Sequence, residues 1–334
     1  MGVQMPVSVD VFNKRDHVPS PRIAVLVPCY NEAKTILKVI EGFRASVPLA
    51  VIYVYDNNSD DGTAEIARAA GAIVRSERRQ GKGNVVRRMF ADIGADVYVL
   101  VDGDATYESA AAPRLIEELL SGPFDKVNGA RIQTSEAAYR TGHALGNKVL
   151  SGLVALIFGA QLKDMLSGFK VFSRRFVKTF PSTSSGFEIE TELLIHSLEI
   201  DAPTSEIETA YCARPPGSFS KLSTYKDGAR IMLLIIQLVR DLLPLQFFTF
   251  VAALLAVASL VLGVPIVNNY LATGLVPRFP MAVLSLGLMM MACMAMFTGL
   301  TLDSVARGRR EIKLLSYLRY NAPEGRSEQK RYQP

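Results

Sequence analysis

The hydrophobic positions of this chain form two patterns, one of short runs separated by polar stretches and one of long continuous runs. From Arg22 to about Val177, short runs rich in β-branched residues (IAVLVP, VIYVYD, VYVLVD, DKVNGARI) alternate with stretches of helical spacing such as NEAKTILKVIEGFRA and GTAEIARAAG. Strands separated by helices predict an α/β domain with a mostly parallel sheet and helices on both faces. Such sheets bind ligands at the carboxyl ends of their strands.

Two continuous apolar runs follow this region. Residues 245–267 and 279–302 are 23 and 24 residues without a charge, and each exceeds the roughly 20 residues that a membrane-spanning helix needs. We therefore expect two transmembrane helices, joined by the loop NNYLATGLVPR. The alternative is a pair of buried core helices, which such length without a charge disfavours.

The segment before the first apolar run has a different pattern. GARIMLLIIQLVRDLL places Arg230, Gln237, Arg240 and Asp241 on one narrow helical stripe, with aliphatic residues covering the rest. The segment is too short and too charged to cross a bilayer, so residues 226–244 are predicted as an interfacial amphipathic helix. A packed helix of the globular domain is an equal alternative.

Basic residues lie on one side of the apolar runs. Arg230 and Arg240 precede the first run and RGRREIK follows the second, whereas the intervening loop contains only Arg278. This bias places both termini and the globular domain in the cytoplasm, with the spans in the inner membrane. The predicted organisation is a lead-in at 1–20, a globular domain at 21–225, the amphipathic helix, the two spans, and a basic cytoplasmic tail at 303–334.

Composition supports this division and excludes several classes of protein. Of the 334 residues, 49% are hydrophobic, which is more than a soluble enzyme needs, and the net charge is +5. The three cysteines and three histidines are scattered without a CxxC pair, which argues against a disulfide framework and a zinc site. The first 20 residues lack the apolar core of a signal peptide. We expect a reducing, cytosolic setting and no nucleic-acid partner.

Three apolar strands end in polar signatures. IAVLVP leads into CYNE at 29–32, VIYVY into DNNSDDGT at 56–63, and VYVLV into Asp102-Gly103-Asp104. Any one of them could cap a helix, because Asn and Asp side chains bind the free N–H groups of a first turn, and this alternative stays open for Asn31, Asp60 and Asp61. Three signatures at one sheet edge favour a ligand site.

The Asp-Gly-Asp element predicts a metal. Residues i and i+2 of an extended segment point the same way, so Asp102 and Asp104 would converge. Converging carboxylates repel unless a cation lies between them, and hard oxygen ligands favour Mg²⁺ or Mn²⁺. An Asp-Gly turn without a metal is the alternative. Further along, QGKGNVVRRMF places Lys82 between two glycines at the start of a predicted helix, which suits phosphate although it is not a Walker loop.

The motifs VPCYNE, DNNSDDGT, GKGNVVRR and DGD, in this order, resemble the family 2 glycosyltransferases with the GT-A fold over roughly residues 21–225. The resemblance implies a nucleotide-sugar donor and a Mg²⁺ or Mn²⁺ cofactor held by Asp102 and Asp104. The residues it implies for the nucleotide-sugar pocket are Pro28, Tyr30, Glu32, Asp56, Asn58, Lys82 and Asp102. Processive polysaccharide synthases of this superfamily carry a QxxRW motif. This chain has no tryptophan, so the sequence excludes that branch.

The later motifs are similar to those of the polyprenyl-phosphate glycosyltransferases, the branch that contains the dolichyl-phosphate mannose synthases. They are NGARI, YRTGHALGN, DMLSGFKVFSR, GFEIETE and RPPGSFSKLSTYKDG. The resemblance implies an undecaprenyl or dolichyl phosphate acceptor whose phosphate is bound by Arg131, Arg140, His143, Ser167, Arg214 and Lys221, although each cation could also be an ordinary surface charge. The predicted catalytic residues are Asp104, Asp102, Arg131 and Glu190, with no base role assigned to Glu188 or Glu190.

A phosphate acceptor changes what catalysis requires. A monophosphate with a second pKa near ~6 is mostly dianionic at neutral pH, so no general base is needed, and in-line positioning and charge stabilisation by the metal remain. We therefore expect inverting transfer of one sugar, from a UDP-sugar in preference to GDP-mannose, to polyprenyl phosphate at the cytoplasmic membrane face. The alternatives are a lipid-hydroxyl or lipid-linked glycan acceptor, and a catalytically silent nucleotide-binding subunit. The sugar, the polyprenol length and a homo-oligomeric state stay open, since relatives include tetramers and monomers.

Overall fold

A computed structural model describes residues 20–133, Asp164, 167–181, Gly186, 188–212, 236–237 and 239–322. Within these ranges the chain forms a seven-stranded sheet of order β3-β2-β1-β4-β6-β5-β7. The strands are β1 Ile23–Cys29, β2 Val51–Asp56, β3 Ile73–Ser76, β4 Val97–Leu100, β5 Lys126–Gln133, β6 Lys170–Ser173 and β7 Thr204–Tyr211. Of these strands, only β6 runs antiparallel to its neighbours, so the predicted mostly parallel α/β sheet is confirmed.

Helices cover both faces of this sheet. The described α-helices are α1 Ile36–Ser46, α2 Thr63–Ala69, α3 Lys82–Asp92, α4 Ala112–Ser121, α5 Arg174–Thr179, α6 Ile189–Glu199, α7 Pro244–Thr273 and α8 Phe279–Tyr317. Val25 and Val27 of β1 lie in one apolar cluster with Phe43 of α1, whereas Leu26 lies in the cluster on the opposite face with Met89 of α3. A strand that is covered on both faces needs a continuous apolar run, which is why IAVLVP does not alternate with polar residues.

The order of the strands determines where a ligand can bind. β1 has β2 on one side and β4 on the other, and both pairings are parallel. The connection order therefore reverses at β1, and open α/β sheets bind ligands in the crevice that such a reversal leaves at the carboxyl ends of the strands. The segments CYNE and Asp102-Gly103-Asp104 begin at this crevice.

The two longest helices are apolar and largely exposed. α7 has 30 residues with a mean hydropathy of 2.7 over its most apolar window, and α8 has 39 residues with 2.0. Large apolar side chains such as Phe250, which is 72% exposed, and Leu271 face away from any protein core. The alternative of two buried core helices is therefore wrong, and both helices are long and apolar enough to span a membrane.

α7 and α8 pack against each other through small polar residues. Ser259 Oγ donates to the Ser285 carbonyl at 2.7 Å, and Ser285 Oγ donates to the Ser259 carbonyl at 2.9 Å. Gly299 approaches Phe248 so closely that an added Cβ would lie 2.8 Å from the Phe248 Cβ. Close backbone approach and interhelical hydrogen bonds are the interactions that hold helices together in lipid.

Both helices extend beyond the apolar runs that predicted them. α7 continues to Thr273 and ends before Gly274, whose φ is 69°, so residues 268–273 of the predicted loop are helical. α8 continues past Leu302 to Tyr317. Hydropathy marks where a helix contacts lipid, whereas the helix itself ends only where a residue such as glycine stops it. Of the predicted amphipathic helix, residues 236–237 and 239–242 are helical, and the rest lies outside the described residues.

Candidate active site

Side chains that the sequence allowed as helix caps tie the loops after β1 and β2 together. Asn31 Oδ1 accepts from the Asp60 backbone N at 3.0 Å, and Asp61 Oδ2 accepts from the Ala33 N at 3.0 Å. Asp61 Oδ1 also accepts from the N of Thr63, the first residue of α2, at 3.1 Å. Although burial raises the pKa of Asp61, hydrogen bonds from the Thr63 hydroxyl and from the backbone N–H groups of Ala33 and Thr63 hold it below its usual value. The capping alternative thus applies to Asp61, whereas Asn31 and Asp60 brace the two loops.

Asp56 ends β2 next to Cys29 of β1. Its carboxylate is buried; Oδ2 accepts from the Ser59 N at 3.2 Å, and Oδ1 has no hydrogen-bond partner among the described residues. A buried carboxylate oxygen without a donor is costly, and an N–H or O–H group of a ligand would satisfy it. Pro28 is half-buried in β1 and Tyr30 is exposed just beyond it, so these two and Asp56, three of the seven residues predicted for the nucleotide pocket, lie at one edge of the sheet.

Two asparagines fix the loop between β3 and α3. Asn57 Nδ2 donates to the carbonyls of Glu77 and Arg79, both at 2.8 Å, and Asn58 Nδ2 donates to the carbonyl of Arg78 at 2.9 Å. These bonds set the position at which the chain enters α3, whose first residue is Lys82. The role of Asn58 as a nucleotide contact stays a prediction.

Lys82 lies at the centre of a group of four charges, which we call the ion cluster: Lys82 and Asp102, which are partly exposed, and Lys170 and Glu190, which are buried. Lys82 Nζ is 2.6 Å from Asp102 Oδ1 and 2.8 Å from Glu190 Oε1. Lys170 Nζ forms an ion pair with Glu190 Oε2 and donates to the Ser167 carbonyl. The start of α3, the end of β4, the start of β6 and the first turn of α6 each supply one charge, so the cluster is neutral overall.

The ion cluster fixes the protonation of its members. Burial raises the pKa of Glu190, but Lys170 and Lys82 outweigh that effect and lower it to about 2. Burial lowers the pKa of Lys82, yet the charges of Asp102 and Glu190 raise it above its usual value. The pKa of Asp102 is raised by its burial, against the attraction of Lys82 and with added repulsion from Asp104. Glu190 is therefore a carboxylate at neutral pH with little affinity for a proton.

The Asp-Gly-Asp segment turns instead of continuing as a strand. β4 ends at Leu100, and Ala105 has a φ of 56°, so the expectation of an extended segment is wrong. An added Cβ on Gly103 would lie 2.7 Å from Cys29 Sγ, and Thr35 Oγ1 donates to the Gly103 carbonyl at 2.7 Å. The glycine thus lets this segment pack against the end of β1, which places its two carboxylates at the crevice.

Asp102 and Asp104 are the two carboxylates of this segment that could hold a divalent cation. Asp104 is buried, and its Oδ1 accepts from the backbone N of Thr106 at 3.2 Å and from Thr106 Oγ1 at 2.6 Å. The repulsion between the two carboxylates is relieved when a cation binds between them. In the part of the chain that the structure describes, no three His, Cys, Asp or Glu side chains are grouped to hold a metal. Water and substrate oxygens would therefore complete the shell, as is usual for Mg²⁺.

The predicted acceptor residues have separate outcomes. Arg131 makes two parallel bonds to Asp164, Nε to Oδ2 at 2.6 Å and Nη2 to Oδ1 at 2.8 Å, and lies over the Tyr211 ring at 5.4 Å. Ser167 is fully buried and donates to the Gly129 carbonyl at 2.6 Å. The hydroxyl proton of Ser167 is thus used inside the sheet, and its predicted phosphate contact stays a prediction. Arg140, His143, Arg214 and Lys221 lie outside the described residues.

Sequence reasoning assigned no site role to Lys170 or Gly168. Lys170 is fully buried and its ammonium completes the ion cluster. An added Cβ on Gly168 would overlap the Asp102 carboxylate, and the Gly168 N donates to Tyr107 Oη at 2.6 Å. The available signal was a lysine inside the otherwise apolar strand GFKVFS, since lysine is almost never fully buried without a partner.

Comparisons with known proteins agree with this geometry. The model of the family "Glycosyl transferase family 2" matches residues 24–180. Glycosyltransferase AglJ of Haloferax volcanii is 35% identical over 234 residues, which cover 69% of this chain and 77% of that protein. The dolichyl-phosphate hexose transferase of the same organism is 27% identical over 209 residues, which cover 63% of this chain and 90% of that protein.

A similar fold occurs in a solved enzyme. Glucosyl-3-phosphoglycerate synthase from Mycobacterium tuberculosis, in complex with Mn²⁺, uridine diphosphate and glucosyl-3-phosphoglycerate, superposes with a TM-score of 0.53 and 26% identity. The match covers 66% of this chain and 79% of that chain. The predicted GT-A fold is thereby confirmed.

Proposed function

Because the chain belongs to glycosyl transferase family 2, we propose that this glycosyltransferase moves one sugar from a nucleotide sugar to polyprenyl phosphate, with inversion. A UDP-sugar is the preferred donor, since the structurally similar synthase binds uridine diphosphate with Mn²⁺. The acceptor class is supported by a relative named dolichyl-phosphate hexose transferase. The product is a polyprenyl-phosphate sugar made at the cytoplasmic face of the membrane.

The observation that carries this choice of acceptor is the state of Glu190. A hydroxyl acceptor must lose its proton to a base whose pKa is close to the working pH. Glu190, the acidic residue considered for that role, has a pKa of about 2 because Lys170 and Lys82 hold both of its oxygens. A phosphate monoester is already mostly dianionic at pH 7. An acceptor of this kind matches a site whose acid is held ionised.

The two apolar helices support a lipid as the carrier of that phosphate. α7 and α8 expose large apolar side chains along most of their length, and the basic segment RGRREIK follows the second apolar run after four further residues. A bilayer with the globular domain on its cytoplasmic side accounts for both features. The phosphate of a polyprenyl lipid would then lie at the membrane surface, within reach of a domain that is held there.

Four described residues of the crevice have roles in the proposal. Asp56 Oδ1 accepts a hydrogen bond from the nucleoside, and Lys82 lies near its diphosphate. Asp102 and Asp104 hold Mg²⁺ or Mn²⁺, which when bound supplies Lewis-acid stabilisation of the leaving diphosphate worth several kcal/mol. The remaining barrier is lowered by holding the acceptor phosphate in line with the anomeric carbon.

A donor and acceptor screen tests the proposal. Labelled UDP- and GDP-sugars are incubated with the full chain, Mn²⁺ and either undecaprenyl or dolichyl phosphate, and label in the lipid extract is counted. We expect one UDP-sugar to label the polyprenyl phosphate. Label that appears only with a diacylglycerol or a lipid-linked glycan would identify a hydroxyl acceptor, and no release of nucleoside diphosphate under any condition would contradict enzymatic function.

Asp104→Asn tests the metal site within the same assay. We expect loss of turnover by a factor of about 100 or more, as for removal of one group that stabilises developing charge, together with weaker Mn²⁺ binding measured by electron paramagnetic resonance. Asp201→Asn is the matched control, because Asp201 is exposed and distant from the crevice in sequence. Unchanged Mn²⁺ affinity in Asp104→Asn would remove Asp104 from the metal site.

A further inference from the structure

The cytoplasmic end of α8 packs into the catalytic domain. Tyr317, the last residue of α8, is only 8% exposed and belongs to the apolar cluster that contains Phe176 of α5. Its hydroxyl donates to Oδ2 of Asp125, a fully buried carboxylate at the start of β5. The Arg175 guanidinium lies over the Tyr317 ring, 4.6 Å from its centroid. The end of a candidate membrane helix is thus part of the domain's interior.

Asp125 is already well paired without this tyrosine. Arg175 Nε and Nη2 donate to Asp125 Oδ1 and Oδ2, both at 2.6 Å, and Ser173 Oγ donates to Oδ1 at 2.5 Å. A bidentate arginine and one hydroxyl satisfy a buried carboxylate. The Tyr317 hydroxyl is therefore an added donor, and what it adds is an attachment to α8.

A second contact lies one turn earlier on α8. Lys313 Nζ pairs with Glu199 Oε2, in the last turn of α6. Lys313 and Tyr317 are four residues apart, so they lie on the same face of the helix. Further toward the membrane, Arg309 Nη2 donates to the Asp241 carbonyl at 3.1 Å. One face of α8 therefore contacts the catalytic domain through Lys313 and Tyr317 and, one turn earlier, the segment that precedes α7.

The docked end and the apolar run belong to one unbroken helix. α8 extends from Phe279 to Tyr317, and the stretch from Leu302, where the apolar run ends, to Tyr317 measures about 22 Å at 1.5 Å per residue. A continuous helix transmits position and direction, unlike a flexible linker. The contacts of Tyr317 and Lys313 consequently relate the orientation of the catalytic domain to that of the membrane span.

The helix that Lys313 contacts also leads to the ion cluster. α6 has Glu199 in its last turn and Glu190 in its first, about 13 Å apart along the axis. Glu190 is held there by Lys82 and Lys170. The docked face of α8 and the candidate active site are thus joined by a single rigid element.

We propose that residues 303–317 of α8, with Tyr317 and Lys313 as positioning residues, form a strut that holds the catalytic crevice at a fixed height and orientation above the bilayer. The proposal rests on the proposed membrane location and acceptor. The acceptor explains why such a strut is needed. A lipid phosphate moves only in the plane of the membrane, so in-line attack requires that the enzyme hold its active site at one height above the bilayer.

A distance measurement tests the strut without reference to activity. Spin labels are placed at Lys38, exposed on α1, and Val276, in the loop between α7 and α8, after replacement of the exposed Cys212 and Cys293. The protein is measured in nanodiscs by pulsed dipolar spectroscopy. We expect one narrow distance distribution for the parent chain and for the control Arg310→Gln/Tyr320→Phe, and a broadened or shifted distribution for Lys313→Gln/Tyr317→Phe.

The expected shift in the equilibrium between the docked and undocked end of α8 follows from the two contacts. Loss of one hydrogen bond to a charged group lowers a docking equilibrium by roughly tenfold, and loss of two by roughly a hundredfold. Tyr317→Ala/Lys313→Gln also removes the ring and gives a stronger test. If this variant has a circular dichroism spectrum like the parent's and keeps the narrow distribution, the strut is refuted.

Kinetic measurements distinguish a positioning role of Lys313 and Tyr317 from a role only in the stability of the catalytic domain. For Lys313→Gln/Tyr317→Phe we expect the KM for polyprenyl phosphate in nanodiscs to rise by about tenfold, with kcat and the KM for a short, water-soluble prenyl phosphate unchanged. An equal loss with both acceptors would mean that the contacts only stabilise the domain, which overturns the proposal. If the parent chain uses neither acceptor, the proposed function fails while the distance measurement still decides the strut.

Discussion

Replacement of Glu190 by glutamine tests the ion cluster directly. The change keeps the shape of the side chain and removes one of two negative charges that face the buried ammonium groups of Lys82 and Lys170. Lowering the pKa of Glu190 from 4.5 to about 2 corresponds to roughly 3 kcal/mol of stability at neutral pH. Removal of one partner of a buried ion pair typically costs roughly 3–5 kcal/mol. Both estimates predict a large loss in the free energy of unfolding.

The measurement is the thermal midpoint of the catalytic domain in the detergent-solubilised full chain, followed by near-ultraviolet circular dichroism. A domain of about 200 residues loses roughly 2–4 °C per kcal/mol, so we expect Glu190→Gln to unfold about 10 °C below the parent at pH 7. Glu117→Gln is the control, because Glu117 is exposed on α4, and a surface change of this kind stays within about 0.5 kcal/mol.

The pH dependence of that difference has a defined sign. The pKa of Glu190 is lower in the folded than in the unfolded chain, so its stabilisation is complete above the unfolded value of 4.5 and is lost as the pH falls towards about 2. The difference between the midpoints of the parent and Glu190→Gln should therefore shrink as the pH falls below 4.5 and vanish only near pH 2. A constant difference down to pH 3 would contradict the assignment of the charge pairs.

Activity distinguishes this structural role from that of a base. If Glu190 accepted the acceptor's proton, kcat/KM would fall along an acidic limb with an apparent pKa of about 5–7, and Glu190→Gln would abolish that limb. We expect no limb from Glu190 in this range. A limb that disappears in the variant would refute both the low pKa and the choice of a phosphate acceptor.

The other predictions concern the donor side of the crevice. Gly168→Ala should reduce Mn²⁺ affinity and turnover by about tenfold or more. The added methyl group overlaps the Asp102 carboxylate, and overpacking that costs about 1–3 kcal/mol must displace this carboxylate. Electron paramagnetic resonance and initial rates measure the two effects, and parent-like Mn²⁺ binding would contradict the prediction. Asp56→Asn should raise the KM for the donor by about tenfold with kcat little changed, because the buried carboxylate that includes Oδ1 loses its negative charge. An unchanged KM for the donor would exclude Asp56 from the nucleotide pocket.

The sheet was largely predictable because its central strands are buried on both faces. Continuous β-branched runs located β1, β2, β4 and β5 within a few residues. The start of α1 was not predictable: the spacing suggested Asn31, but the helix begins at Ile36, since Asn31 binds Asp60 of the next loop. A tertiary hydrogen bond of this kind leaves no local signal in the sequence.

The sequence predicted which segments form the candidate site better than it predicted which side chains contact one another there. The segments CYNE, DNNSDDGT and DGD identified the sheet edge because parallel strands bring their carboxyl ends together. The ion cluster, in contrast, joins Lys82, Asp102, Lys170 and Glu190 from four separate elements. Charge pairs between distant positions depend on strand order, and the antiparallel insertion of β6 beside β4 has no signature in hydrophobic periodicity.

The charge balance of the described residues separates the donor side from the acceptor side. A nucleoside diphosphate and a phosphate dianion together bring about four negative charges to one crevice. The ammonium groups of Lys82 and Lys170 are balanced by Asp102 and Glu190, and the guanidinium of Arg131 is paired with Asp164. These three cations therefore add no net positive charge. On the proposed function, a metal on Asp102 and Asp104 would supply positive charge to the donor, and the cations that the resemblance implies for the acceptor, Arg140, Arg214 and Lys221, would compensate the acceptor. Donor binding should accordingly depend on the divalent metal, whereas acceptor affinity should depend on those three residues and weaken as salt screens them.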